Sequence, residues 1–392
     1  MSYQKRTIPT LDGWRALSII GVILYHGRVG FFGEDSFLTR LAFRGDVGVD
    51  VFFAISGFLI CGLLLREYEA SDGISLSHFY IRRCFRILPP CYTYLLVLAL
   101  LGLWGVLTIN FSDFSSCLLF YRNFRPLGMV ETGGFYTAHL WSLAVEEHFY
   151  LLFPLLLLVA TPKRIGKAAL FLALALFCWR MVEVRYQFLG RFFPPQFMLA
   201  RTDMRMDGLL WGCLAAIYFP QIKLRLERIK FNQLWFPILL LLPIPLLLHA
   251  DALHLLLVIL LPALVLSTVL QPASLLGRFL ESAPVRWIGT LSYSLYLWQE
   301  LFLPQVPSIM AHGAFRHLQQ WPWNVPAILV CACLSRYLVE IPMNRTGHRL
   351  GQPRRPVRIL KPRVLGSQPA MRVVFHRTGI LRANGNPGPQ RQ

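Results

Sequence analysis

Four places along the 392-residue chain set ionisable side chains inside otherwise apolar stretches, and each suits a particular chemistry. Arg15 and His26 are 11 residues apart. On a helix that spacing brings them back to within about 20° of each other, separated by about 16 Å along the axis. An imidazole so placed can accept a proton from an alcohol, and a guanidinium on the same stripe can hold a phosphate or a carboxylate. The plainer alternative is an arginine snorkelling to an interface and a histidine satisfied inside a helix bundle. In Trp141-Ser142-Leu143-Ala144-Val145-Glu146-Glu147-His148, two adjacent carboxylates follow a serine, and Ser142 and Glu146 share one helix face. Carboxylates here either complement a helix N-terminus, or one of them orients or charge-stabilises a histidine on a neighbouring helix. Arg83 and Arg86 are three apart, a spacing that grips a multiply charged phosphate and equally serves as a topology signal. In Arg201-Thr202-Asp203-Met204-Arg205-Met206-Asp207-Gly208, Arg205 and Asp207 pair with neighbours or bind a hydroxyl-rich molecule.

These residues need elements to hold them, and the composition says which. Hydrophobic residues make up 55% of the chain and charged ones 15%, against roughly 25% charged in an average soluble domain. Apolar segments at 14–31, 47–65, 87–109, 140–160, 168–184, 206–219, 234–249, 252–270, 287–307 and 323–341 approach the length of a bilayer crossing. The expected fold is all-α, a polytopic helical membrane bundle of about ten transmembrane helices. The stretch 111–120 is too short to cross and is expected to be re-entrant or interfacial. Placing both termini in the cytoplasm puts 26 of the 39 Lys and Arg in inner segments and 9 in outer ones, which follows the positive-inside rule. An eleventh crossing at Phe111 would move Lys163, Arg164 and Lys167 outside, against that rule. Lys5 and Arg6 precede the first span, and no A-x-A cleavage site follows, so an uncleaved span is expected rather than a secretion signal.

The formal charge of +19 is concentrated at one end, since residues 344–392 hold 11 Lys or Arg and no acidic residue. This pattern describes a solvated tail near anionic lipid, and the body lacks any nucleic-acid recognition motif, so no nucleic-acid partner is expected. The expected organisation is a membrane domain at 1–343 and a basic, disordered cytoplasmic tail at 344–392. Eight cysteines without CxxC spacing read as buried hydrophobes, with neither a disulfide framework nor a metal site.

Taken together, these segments resemble the acyltransferase-3 family of membrane O-acyltransferases, multi-span bacterial enzymes that decorate surface carbohydrates. Leu11-Asp12-Gly13-Trp14-Arg15-Ala16, with ten residues between Arg15 and His26, resembles the family's Arg-to-His motif. Gly48-Val49-Asp50-Val51-Phe52-Phe53-Ala54-Ile55-Ser56-Gly57-Phe58 is similar to its second span. Phe79-Tyr80-Ile81-Arg82-Arg83-Cys84-Phe85-Arg86 resembles its paired-arginine loop, and Trp141 to Tyr150 its most recognisable stretch. Arg205-Met206-Asp207-Gly208-Leu209, Leu291-Ser292-Tyr293-Ser294-Leu295-Tyr296-Leu297-Trp298 and Tyr337-Leu338-Val339-Glu340-Ile341-Pro342 continue the likeness in order. Gln299 stands where many members carry histidine. Some members also carry an esterase-like domain, for which the tail is too short and too basic.

The resemblance implies transfer of an acyl group, foremost acetyl, from cytoplasmic acyl-CoA to a hydroxyl of a cell-surface or lipid-linked carbohydrate, such as an exopolysaccharide or lipopolysaccharide. It places the protein in the bacterial inner membrane, with no permanently bound cofactor. His26 is then the catalytic base or transient acyl carrier, with Glu146, and after it Glu147, supporting the imidazole. Arg15, Arg83 and Arg86 bind the donor. Ser142, Arg205, Asp207 and Tyr293 are acceptor-binding or structural polar residues. The rivals are a secondary transporter, which should show inverted repeats with broken helices, and a non-catalytic component of a polysaccharide export complex.

Overall fold

Most of the long segments carry apolar residues all the way round, so each helix must meet other helices or lipid on every side. The computed structural model describes residues 8–34, 36–71, 73–125, 134–159, 162–189, 191, 200–226, 233–244, 254–304 and 309–351. The helices are α1 (Pro9–Phe32), α2 (Phe37–Ala42), α3 (Val47–Ser71), α4 (Leu76–Leu103), α5 (Phe111–Leu118), α6 (Trp141–Val159), α7 (Pro162–Tyr186) and α8 (Thr202–Ile217). There follow α9 (Phe219–Leu226), α10 (Trp235–Leu241), α11 (His254–Leu270), α12 (Leu275–Leu280), α13 (Ala283–Phe302), α14 (Asn324–Leu334) and α15 (Ile341–Leu350). No strand occurs among the described residues, so the chain is an all-α bundle.

By length and composition, five helices among the described residues can cross a membrane: Phe37–Ser71, Leu76–Leu103, Phe135–Leu157, Arg164–Tyr186 and Asn324–Leu350. Leu255–Leu270 is apolar but shorter. The helices α1 and α13 have 24 and 20 residues; α1 carries Arg15 and His26, and α13 carries Arg286 and Glu300. Each of the ten apolar segments contains a helix. The expected tail begins inside one: helix continues past residue 343 to Leu350, where Gly347 meets Phe85 of α4 and Arg82 donates to the Gly351 carbonyl at 3.0 Å. Residues 352–392, with the rest of that expectation, lie outside the described residues, as do Lys5 and Arg6.

Lipid gives helices little hydrophobic reason to associate, so close contact rests on small residues and polar links. A Cβ added at Gly57 of α3 would lie 1.9 Å from the Leu209 carbonyl oxygen of α8, and one at Gly289 of α13 would lie 1.7 Å from that of Asp12 in α1. Only glycine allows these approaches.

The contacts also fix direction. Gly208 lies by Phe53 and Gly62 by Ala216, so α3 and α8 run parallel. Gly289 lies by Asp12 and Gln299 by His26, so α1 and α13 are parallel as well. Gly21 faces Gly45 and Ser18 faces Gly48, which makes α1 and α3 antiparallel. Parallel α3 and α8 require an odd number of crossings between them. With α4, α6 and α7 crossing, the eight-residue α5 does not.

Candidate active site

Two helices bring three arginines to one place. A pocket of about 790 Å³ is lined by Arg15 of α1, Arg83 and Arg86 of α4, Ser56 of α3, Ser142, Glu146 and Tyr150 of α6, and Ser292, Tyr293 and Tyr296 of α13. Arg15 is held by Asp12 at 3.1 Å. The Arg83 guanidinium lies 5.2 Å from the centre of the Tyr150 ring and 5.8 Å from that of Phe79, a cation–π arrangement that orients the group without neutralising it. Among the described residues neither Arg83 nor Arg86 makes a side-chain hydrogen bond or ion pair, so both keep their donors for an anion.

Glu146 sits in this pocket beside the arginines. One oxygen accepts from Ser56 Oγ and the other from Tyr150 Oη, both at 2.9 Å. No hydrogen bond or ion pair joins it to His26, so its position differs from the one expected of an imidazole partner. Glu147 is turned about 100° from Glu146 by the helix, lies outside the pocket lining and has a buried Oε1 without a hydrogen-bond partner. Seen from the sequence, the paired carboxylates suggested a shared task; the helix sends them in different directions.

Tyr296 closes the end of the pocket away from Tyr150. Its hydroxyl donates to the His139 carbonyl and accepts from Ser142 Oγ at 2.6 Å. Beyond it lies a second polar group. His26 Nδ1 is 3.0 Å from Gln299 Oε1. Next along α13, the Glu300 carboxylate accepts from the His139 backbone N–H at 3.1 Å and lies 2.5 Å from His139 Nδ1. Glu300 and His139 are both buried, and both lie near His26. With an amide oxygen facing Nδ1, that nitrogen carries the hydrogen and Nε2 remains a free base. His26 is therefore about one turn of α13 beyond Tyr296, and Arg15 is on the pocket side of it.

Tyr293 lines the pocket and donates to the Ile87 carbonyl at 2.8 Å, tying α13 to α4. Arg205 and Asp207 stand elsewhere. Arg205 pairs with Asp50 at 3.0 Å, its guanidinium 5.2 Å from the centre of the Trp141 ring, and Asp207 Oδ1 accepts from the Gly208 N–H. Arg201, not Arg205, binds the local acid Asp203, together with Glu183 at 2.7 Å. Sequence reasoning did not single out Glu300. The available signal was a carboxylate in the apolar run Leu295 to Leu303, directly after the departure at Gln299. No group of three or more potential metal ligands occurs among the described residues.

An all-helical membrane bundle with an arginine-lined pocket and a histidine beyond its end has the groups a membrane transferase needs to hold an anionic donor and to take up a proton. Residues 8–342 match the acyltransferase domain of the acyltransferase-3 family, and the chain belongs to that family. It is 29% identical over 383 residues to the peptidoglycan O-acetyltransferase OatA of Listeria monocytogenes, covering 88% of this chain and 57% of that protein. It is 30% identical over 381 residues to the putative peptidoglycan O-acetyltransferase YrhL of Bacillus subtilis, covering 88% and 56%. With a putative O-acetyltransferase of Staphylococcus aureus the figures are 29% over 369 residues, 88% and 59%. The matched region thus spans less than two thirds of these relatives. No solved structure matches the chain.

Proposed function

We propose that the protein is a multi-pass membrane O-acetyltransferase of the bacterial inner membrane. It takes an acetyl group from cytoplasmic acetyl-CoA and passes it to a hydroxyl of a cell-envelope carbohydrate. The observation that carries this reading is the convergence of Arg15, Arg83 and Arg86 on one pocket whose far end lies one helical turn from His26. All three arginines lie towards the helix ends assigned to the cytoplasmic side. They suit the pyrophosphate of a nucleotide thioester, and the pocket leads from them towards His26. The named activity of the relatives favours peptidoglycan as the acceptor, ahead of a lipopolysaccharide or exopolysaccharide.

The acceptor hydroxyl gives its proton to His26 Nε2 while its oxygen attacks the thioester carbonyl. The tetrahedral species collapses, the C–S bond breaks, and the imidazolium returns the proton to the departing thiolate. The products are an O-acetyl ester and coenzyme A. Glu300 offsets the cation formed on His26, and Gln299 holds the ring. The acyl end must pass Tyr296 to reach His26.

Purified protein in lipid, given acetyl-CoA labelled in the acetyl group and a peptidoglycan fragment, is expected to transfer label to the fragment. His26→Ala should lose at least about a hundredfold of that rate while remaining inserted. Full transfer by this variant would remove His26 from the chemistry.

A further inference from the structure

One cation near the pocket is absent from its lining. Arg286 lies in the first turn of α13, seven residues before Tyr293. Two turns of helix put it on the same face as Tyr293, about 10 Å further from Tyr296. One turn above it, Gly289 rests on the backbone of Asp12, whose carboxylate holds Arg15, so this end of α13 lies beside the arginine end of the pocket. Its Nε is buried without a hydrogen-bond partner, and among the described residues its guanidinium makes neither a hydrogen bond nor an ion pair. Arg82 of α4, by contrast, is satisfied by Glu67 and the Gly351 carbonyl. A guanidinium with a buried Nε and no protein anion beside it keeps its donors for an anion from outside.

Along α13 the order is Tyr296, Tyr293, Arg286. A thioester whose acyl end runs past Tyr296 towards His26 and whose pyrophosphate sits at Arg15, Arg83 and Arg86 has its nucleotide end towards Arg286. We propose that Arg286 binds the 3′-phosphate of the coenzyme A nucleotide, so that the enzyme selects coenzyme A thioesters over donors lacking that group. The guanidinium fork fits a phosphate monoester in two-point contact. This inference rests on the donor assigned under the proposed function.

The test compares acetyl-CoA with acetyl-3′-dephospho-CoA on the full chain in lipid, reading release of the free thiol. The wild type is expected to prefer acetyl-CoA in kcat/KM by about tenfold or more, the worth of one charge-assisted contact. Arg286→Ala should bring that ratio close to one, and Arg286→Lys should keep part of it. A general folding defect lowers both rates and leaves the ratio unchanged. If Arg286→Ala does not fold, the same ratio is read on Arg286→Gln, which keeps the length and loses the charge. A wild type that treats the two thioesters alike overturns the proposal. So does a variant that retains the preference, which would reassign Arg286 to lipid phosphates. Turnover of neither thioester by the wild type would reject the donor itself, and this inference with it.

Discussion

His26 can act as a base only while one ring nitrogen is bare, and Gln299 decides which. Its amide oxygen faces Nδ1 at 3.0 Å, so the hydrogen sits there and Nε2 is free. Gln299→Leu removes this constraint with little change of volume. Turnover should then fall roughly tenfold, about the 1.4 kcal/mol that one hydrogen bond is worth, with the half-saturating thioester concentration unmoved. A larger rise in that concentration than fall in turnover would mean that Gln299 shapes the pocket instead. The arginine triad was legible in the sequence because each member interrupts an apolar or loop pattern in a recognisable motif. The carboxylate nearest His26 was not. Glu146 stood out for its neighbours Ser142 and Glu147, whereas Glu300 lies 274 residues from His26, and only the parallel packing of α1 and α13 brings them together. Periodicity can say that two residues share a face, but not which other helix that face meets.

Pairs of helices here are joined by glycine at the crossing, and that dependence can be measured. At Gly289 a methyl group would have to enter the space of the Asp12 carbonyl oxygen, 1.7 Å away. Since backbone cannot rotate aside as a side chain can, Gly289→Ala must push α13 away from α1 and pull Gln299 from His26. The expected cost is towards the upper end of the about 1–3 kcal/mol typical of overpacking, seen as a lower midpoint of thermal unfolding in detergent. Gly30, also in α1, has no atom within 4 Å of where its Cβ would be, so Gly30→Ala should be neutral or slightly stabilising through helix propensity. Equal midpoints for the two variants would show that the α1–α13 approach is looser than described. The positions and types of the long helices were legible from apolar runs, while these crossings were not, because a glycine needed for contact looks in sequence like any other.

At the scale of the whole molecule, the proposed transfer needs a donor and an acceptor approaching from opposite faces, and so depends on the number of crossings being right. The sequence offered a charge count for this. Packing offers an independent one, since α3 and α8 run parallel and α1 and α13 run parallel. Both pairs fit only if 104–140 begins and ends on one side, with α5 too short to cross. The buried Asp113 of α5 pairs with Arg125 at 3.3 Å and approaches Arg122 at 3.7 Å, which folds this segment back on itself. A phosphatase that is active only outside the cytoplasm can therefore be fused after Trp104 and, separately, after Arg125. Both fusions should be active, whereas one after Leu226 should be silent. If the fusion after Arg125 were silent as well, α5 would cross, α6 would reverse, and Ser142 would lie nearer the cytoplasm than Tyr150. The arginines and His26 would then no longer mark two ends of one path, and transfer across the membrane would have no route.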